Sequence, residues 1–131
     1  MNIKNQEKLL EHNLILLEKI SNFKQDWNGN NAPPFSAETI GYYSEVIKRL
    51  QKQPNYLLPT GRESILLRYE KGNYNTLHIE LAFNKIVSAV SYTNNEYDNI
   101  ISKSITKDIN NIIRNLNIIV GDFYNEKENH E

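Results

Sequence analysis

The feature that most constrains this fold is a change in the spacing of its apolar residues at Pro54. Before Pro54 the apolar residues recur every three or four positions, which is the period of an amphipathic helix. From Tyr56 to Tyr92 they alternate with polar residues, which is the period of a half-buried strand. After about Ile105 the helical spacing returns. This order predicts helices packed against an antiparallel sheet.

Two helices are predicted before Pro54, separated by a loop of residues 26–35 that we call the Trp27 loop. The first helix covers about residues 3–23, with its leucines on one stripe. The prolines and glycine of the Trp27 loop are incompatible with regular structure. Ser36 is a favourable N-cap for a second helix over about residues 37–53, which Pro54 would end.

The middle of the chain predicts an antiparallel sheet of three to five strands. Three segments show clear alternation, and turn signals separate them: residues 63–70, 76–81 and 86–92. Two further segments could add strands at either end: residues 56–58 and 97–102. The alternation predicts one apolar face and one polar face.

A third helix is predicted from isoleucines at helical spacing near the C-terminal end. Ser104 or Thr106 could cap it, and it would end at Gly121 or continue through Tyr124. The polar tail of residues 125–131 is expected to fray. The predicted order is therefore α-α-β-β-β-(β)-α, an α+β class, and we expect residues 1–131 to form one domain.

The composition excludes several function classes. There is no cysteine, so a disulfide scaffold, a zinc–thiolate site and a thiol nucleophile are excluded. The 15 basic residues are balanced by 16 acidic ones, which argues against nucleic-acid binding through bulk charge. No membrane span, secretory signal, HExxH motif, P-loop or nucleophile elbow is present in the sequence. We therefore expect a cytoplasmic protein with no membrane partner, no metal and no cofactor.

Trp27, the single tryptophan, is the first candidate for a functional residue. Its ring could be buried between the first two helices, with the prolines fixing the start of the second. Alternatively, Trp27 and Asp26 could form an aromatic grip on a partner.

The second candidate is the segment of residues 59–64, which we call the Arg62 turn. Gly61 gives the backbone conformational freedom, and Arg62 could hold a carboxylate or phosphate through two hydrogen bonds. A turn held by Thr60, or a surface pair of Arg62 with Glu63, would explain the same residues.

The third candidate is the polar face of the sheet. In the expected register, two residues of one strand and three of the next project together: Arg68, Glu70, Thr76, His78 and Glu80. His78 between two acids would suit an acid–base pair or two ligands of a metal. Ordinary cross-strand ion pairing would give the same pattern.

The Trp27 loop and the Arg62 turn together resemble a known pattern. A first helix followed by D-W-[ND]-G-x-x-A-x-P-x-S, and then P-T-G-R-E-S-I at the start of a strand, is similar to a group of small uncharacterised bacterial and mobile-element proteins. The resemblance covers about residues 24–92, and Asn31 stands where that group often has glycine. It implies an association with mobile elements and with toxin–antitoxin or phage-conflict genes, and it assigns no site residue.

We therefore expect a non-enzymatic protein-binding module of the inhibitor, antitoxin or immunity type, which occludes or stabilises a bacterial protein partner. Balanced charge and eight tyrosines suit a protein partner better than nucleic acid. The expected contacts are Trp27, Arg62, Arg68, His78 and Glu80. One alternative is a small-ligand or nucleic-acid-binding regulator with Arg62 as its anion contact. A second alternative is an enzyme with its site around His78 and Glu80.

Overall fold

The computed structural model describes residues 3–94 and 96–125. It contains three helices: α1 (Ile3–Ser21), α2 (Ala37–Arg49) and α3 (Ile109–Asn125). It contains six strands: β1 (Tyr56–Pro59), β2 (Ile65–Lys71), β3 (Asn75–Ala82), β4 (Lys85–Thr93), β5 (Glu96–Ser102) and β6 (Ile105–Thr106). This order confirms the predicted α+β class. In the part of the chain described here, no helix combines the length and apolar character that crossing a bilayer requires.

The sheet is antiparallel, and its order is β1-β2-β3-β4-β5. β6 pairs with the first residues of β4, beside β5. Both of the optional strands in the sequence prediction are therefore present, as β1 and β5. The β3–β4 register shifts between Glu80 and Leu81, which is a bulge and increases the local twist of the sheet.

The core lies between the helices and one face of the sheet. Alternate residues of β2 and β3 point into it and are fully buried: Ile65, Leu67, Tyr69, Leu77, Ile79 and Leu81. α2 contributes Tyr43, Val46 and Ile47, and α3 contributes Ile112 and Leu116. None of the described side chains on the opposite face, which we call the outer face, belongs to this buried cluster.

α2 ends at Arg49 and not at Gln53, so the predicted end of this helix is wrong. The C-cap residue Leu50 is already extended, with φ −73° and ψ 135°. The N–H of Gln51 is then accepted by the side-chain oxygen of Asn117 in α3, at 2.9 Å. A tertiary hydrogen bond therefore replaces the next helical one, and the helix ends several residues before Pro54.

Neither Ser104 nor Thr106 caps α3, so this prediction is also wrong. Asp108 caps the helix, because its carboxylate accepts the N–H of Asn111 at 3.0 Å. Thr106 lies in β6 instead. α3 continues to Asn125, the longer of the two predicted lengths. The rest of the predicted tail lies outside the described residues.

Candidate functional site

The Trp27 loop is closed by hydrogen bonds among its own residues. The Asp26 carboxylate accepts the N–H of Asn31 at 2.8 Å. The side-chain oxygen of Asn28 accepts the N–H groups of Asn30 at 2.8 Å and Ala32 at 3.2 Å. Asp26 and Asn31 have φ of 65° and 62°, a region that Asp and Asn tolerate better than most residues. The polar residues of this motif therefore shape the loop itself.

The Trp27 indole is half-buried and packs against the core. Its Nε1–H donates to the carbonyl of Pro33 at 2.9 Å. Its ring centroid lies 4.8 Å from that of Phe23 and 6.3 Å from that of Phe35. The ring thus joins the chain that leaves α1 to the chain that enters α2. The interpretation of Trp27 as a residue that packs between the first two helices therefore accounts for both its ring and its N–H group.

The Arg62 turn packs against both the Trp27 loop and α2. A Cβ atom on Gly61 would lie 3.0 Å from the side-chain nitrogen of Asn28. The Glu63 carboxylate accepts the N–H of Ser36, the N-cap of α2, at 3.0 Å, and this bond lowers the pKa of Glu63. The Tyr43 hydroxyl donates to the carbonyl of Glu63 at 2.7 Å. The two motifs of the sequence are therefore one joined structure.

The Arg62 turn is held by Thr60, as one of the two structural interpretations predicted. The N–H of Thr60 donates to the carbonyl of Ser64 at 3.0 Å, and the hydroxyls of these residues are also hydrogen-bonded. The N–H of Arg62 donates to the Thr60 hydroxyl at 3.2 Å. The other interpretation, a pair of Arg62 with Glu63, is wrong, because Glu63 is directed to the start of α2.

Arg62 instead holds Glu80 of β3. Its Nη2 lies 3.0 Å from both carboxylate oxygens, and its Nε lies 3.2 Å from Oε2. The Ser64 hydroxyl donates to the same carboxylate. The Glu80 side chain is 14% exposed and that of Arg62 is 69% exposed. Arg62 thus makes the bidentate contact that its chemistry suggests, with a carboxylate of this chain.

The register of β2 and β3 brings the predicted polar residues onto the outer face. Arg68 lies opposite His78, and Glu70 lies opposite Thr76. The Arg68 Nη2 atom is 3.5 Å from the Glu70 carboxylate, and its guanidinium lies 5.5 Å from the Tyr56 ring centroid. The Arg68 Nε atom is buried and has no hydrogen-bond partner among the described residues.

His78 packs against Tyr92 of β4, with 4.9 Å between the ring centroids. Burial lowers the pKa of His78 below its usual 6.5, and the positive charge of Arg68 lowers it further. A carboxylate partner would raise the pKa of His78, but Glu80 is held by Arg62 and Ser64. Within the described ranges, no group of three or more potential metal ligands is present. The geometry therefore gives no acid–base pair at His78.

The outer face also carries apolar residues that the sequence analysis did not select. Tyr56 and Leu58 of β1 are 49% and 47% exposed, and Ile100 of β5 is 42% exposed. Leu66 and Val90 lie on the same face, because they pair in register with Leu58 and Ile100. The prediction of a polar face therefore holds for Arg68 and Glu70 of β2 and for β3, but not for Leu66 or for the exposed residues of β1 and β5. Alternation within a strand groups such residues together, but only the pairing of β1 with β2 and of β5 with β4 fixes which face they take.

Of the five predicted contact residues, four lie at the outer face: Arg62, Arg68, His78 and Glu80. The Trp27 side chain instead contacts Phe23, Pro33 and Phe35. Comparison of the chain with protein-family models, curated protein sequences and solved structures gives no match.

Proposed function

We propose that this chain is a non-enzymatic protein-binding module, of the inhibitor, antitoxin or immunity type, that binds one protein partner through its outer face. The observation that supports this proposal is the uncovered outer face itself. It combines exposed tyrosine and aliphatic side chains with charges that are already paired. The resemblance of the two motifs to mobile-element proteins suits a role in conflict between bacteria and phages, or in a toxin–antitoxin pair.

The size of the outer face suits a protein partner. Neighbouring strands lie about 4.8 Å apart, and a strand rises about 3.3 Å per residue. Five strands of 7 residues, the length of β2 and β5, therefore cover about 24 Å by 23 Å. The projected area of about 550 Å² approaches the roughly 800 Å² that each partner contributes to a standard protein interface. Small molecules, in contrast, are usually held in concave clefts.

The chemistry of the outer face favours an apolar protein surface over nucleic acid. Arg62 is paired with Glu80, and Arg68 lies 3.5 Å from Glu70, so the positive charges of this face are offset. Tyr56 adds an aromatic ring beside Arg68, which is a combination enriched at protein interfaces. We therefore expect a partner surface that is mainly apolar.

The test is capture from native-host lysate, with and without nuclease treatment, by tagged wild-type protein, followed by titration of the purified captured protein. Leu58→Ser with Ile100→Ser alters the outer face, whereas Ile15→Ser with Ile118→Ser alters equally exposed positions on α1 and α3. We expect one stoichiometric protein, whose Kd rises about tenfold or more with the outer-face pair. We expect the control pair to leave the Kd within about threefold of wild type.

Three results would contradict the proposal: no stoichiometric protein, equal effects of the two pairs, or recovery that disappears with nuclease. Salt provides a further distinction. Because the charges of the outer face are paired, the Kd should change little between about 50 and 200 mM salt, whereas several phosphate contacts would weaken binding by about 10³-fold or more. Such a steep loss would favour the alternative of nucleic-acid binding.

A further inference from the structure

A cleft of about 530 Å³ lies between the start of α1 and the segment that follows α2. Its walls include Gln6 and Leu10 from α1, and Lys48, Leu50, Lys52 and Gln53 from the other side. This volume is within the range of small-molecule sites. None of the outer-face residues lines it, so a site here would be independent of the proposed protein contact.

Gln6, which lines the cleft, carries an oriented hydrogen-bond donor. The side-chain oxygen of Gln6 accepts the N–H of Gln53 at 2.7 Å, which fixes the Gln6 carboxamide. The Nε2 atom of Gln6 is buried and has no hydrogen-bond partner among the described residues. Gln53 is only 5% exposed, and its side chain bonds to Asn13 and to the carbonyl of Ile47. The wall that orients the Gln6 donor is therefore held in place by the core.

The cleft also has positive charge beside apolar surface. It contains Lys48 and Lys52 against one acidic residue, Glu7. In the part of the chain that the structure describes, no carboxylate pairs with either lysine, and the Lys52 ammonium lies 4.2 Å from the centroid of the Tyr124 ring. Leu10 and Leu50 form the apolar part of the lining. Such a surface is complementary to a molecule that is anionic at one end and apolar at the other.

We infer that this cleft binds a small organic anion with an apolar portion. Its anionic oxygens would lie near Lys48 and Lys52 and accept a hydrogen bond from the Nε2 group of Gln6. Its apolar portion would pack against Leu10 and Leu50. The ligand class is thus an aryl or alkyl carboxylate, sulfonate or phosphate.

The probe is 8-anilinonaphthalene-1-sulfonate, titrated into the full chain and followed by fluorescence and by NMR of the side-chain amides. N-phenyl-1-naphthylamine, which lacks the sulfonate, is the matched neutral probe. Lys48→Gln with Lys52→Gln removes the two charges, and Lys19→Gln with Lys24→Gln is the control, because those lysines are exposed elsewhere. Urea denaturation of each variant verifies that it is folded.

We expect saturable binding of the sulfonate at one site, with the largest amide shift at Gln6. The Lys48 and Lys52 variant should raise the Kd of the sulfonate about tenfold, which corresponds to losing two exposed charge contacts. The control variant and the neutral probe should show no such change. The inference is overturned by an absence of saturable binding, by equal Kd values for the two lysine variants, or by loss of binding in Leu58→Ser with Ile100→Ser, which would place the probe on the outer face.

Discussion

Glu63→Gln tests the connection between the Arg62 turn and α2. The Glu63 carboxylate accepts the N–H of Ser36 at 3.0 Å, at the positive end of the α2 dipole. Gln keeps a side-chain oxygen that can accept this bond, so only the negative charge is lost. The φ of Glu63 is 60°, and the cost of this backbone conformation is similar for Glu and Gln. The substitution therefore isolates the electrostatic contribution.

The expected loss is about 1 kcal/mol in the free energy of unfolding near pH 7. A carboxylate at a helix N-terminus contributes about 0.3–1 kcal/mol. A charged acceptor also strengthens a hydrogen bond whose net contribution is otherwise about 1 kcal/mol. Glu63 is half-exposed, and solvent screening reduces the sum of these two contributions to about 1 kcal/mol.

The pH dependence provides the sharper test. The pKa of Glu63 is lowered from 4.5 in the folded protein, so its contribution is fully present above that value and is lost as the pH falls through the folded pKa. Once Glu63 is protonated, Glu and Gln are both neutral acceptors. The difference between wild type and Glu63→Gln should therefore shrink as the pH falls below 4.5 and disappear below the folded pKa of Glu63.

Urea denaturation followed by Trp27 fluorescence measures this difference, because the indole packs between Phe23 and Phe35, next to Ser36. Glu11→Gln on the exposed side of α1 is the control for a general effect of charge. A deficit that does not shrink as the pH falls below 4.5, or one that Glu11→Gln reproduces, would refute this account of Glu63.

Three further predictions concern other buried contacts. Trp27→Phe loses the N–H donated to the Pro33 carbonyl and part of the ring, and should lower the free energy of unfolding by about 1–3 kcal/mol, measured by circular dichroism in urea. Tyr69→Phe removes the hydroxyl that donates a hydrogen bond to the Lys52 carbonyl at 2.7 Å, and should lower the free energy of unfolding by about 1–2 kcal/mol in the same assay. The pKa of His78 is lowered from 6.5, so the unfolded chain takes up the His78 proton more readily than the folded protein does. This residue therefore has no effect on stability well above pH 6.5 and lowers stability as the pH falls below it. His78→Gln should therefore flatten the decrease in stability as the pH falls below 6.5.

The order of helices and strands could be predicted because each change of apolar period is local in the sequence. The ends of elements could not, because tertiary contacts decide them. α2 stops where Asn117, 66 residues away in the chain, accepts the N–H of Gln51. The start of α3 moves to Asp108 because β4 pairs with Thr106 first.

The candidate site was predictable to the extent that it depends on strand register. Alternation alone placed Arg68, His78 and Glu80 on one face, and the β2–β3 register confirms this arrangement. The pair of Arg62 with Glu80 was not predictable, because it requires the Arg62 turn to fold against β3, 18 residues further on. Leu58 was overlooked for a similar reason, since its face is fixed only once β1 pairs with β2.

The most distinctive residues of the sequence and the most available surface of the structure are different parts of the molecule. Glu63 is hydrogen-bonded to Ser36, and the polar groups of the Trp27 loop are largely used inside the loop. Leu58 and Ile100 are ordinary strand residues, yet they are among the exposed apolar residues. If the outer face is the contact surface, substitutions in the two motifs should lower stability first, and substitutions at Leu58 and Ile100 should lower partner affinity while stability is kept. A substitution in the Trp27 loop that lowers affinity without lowering stability would return Trp27 to the contact surface.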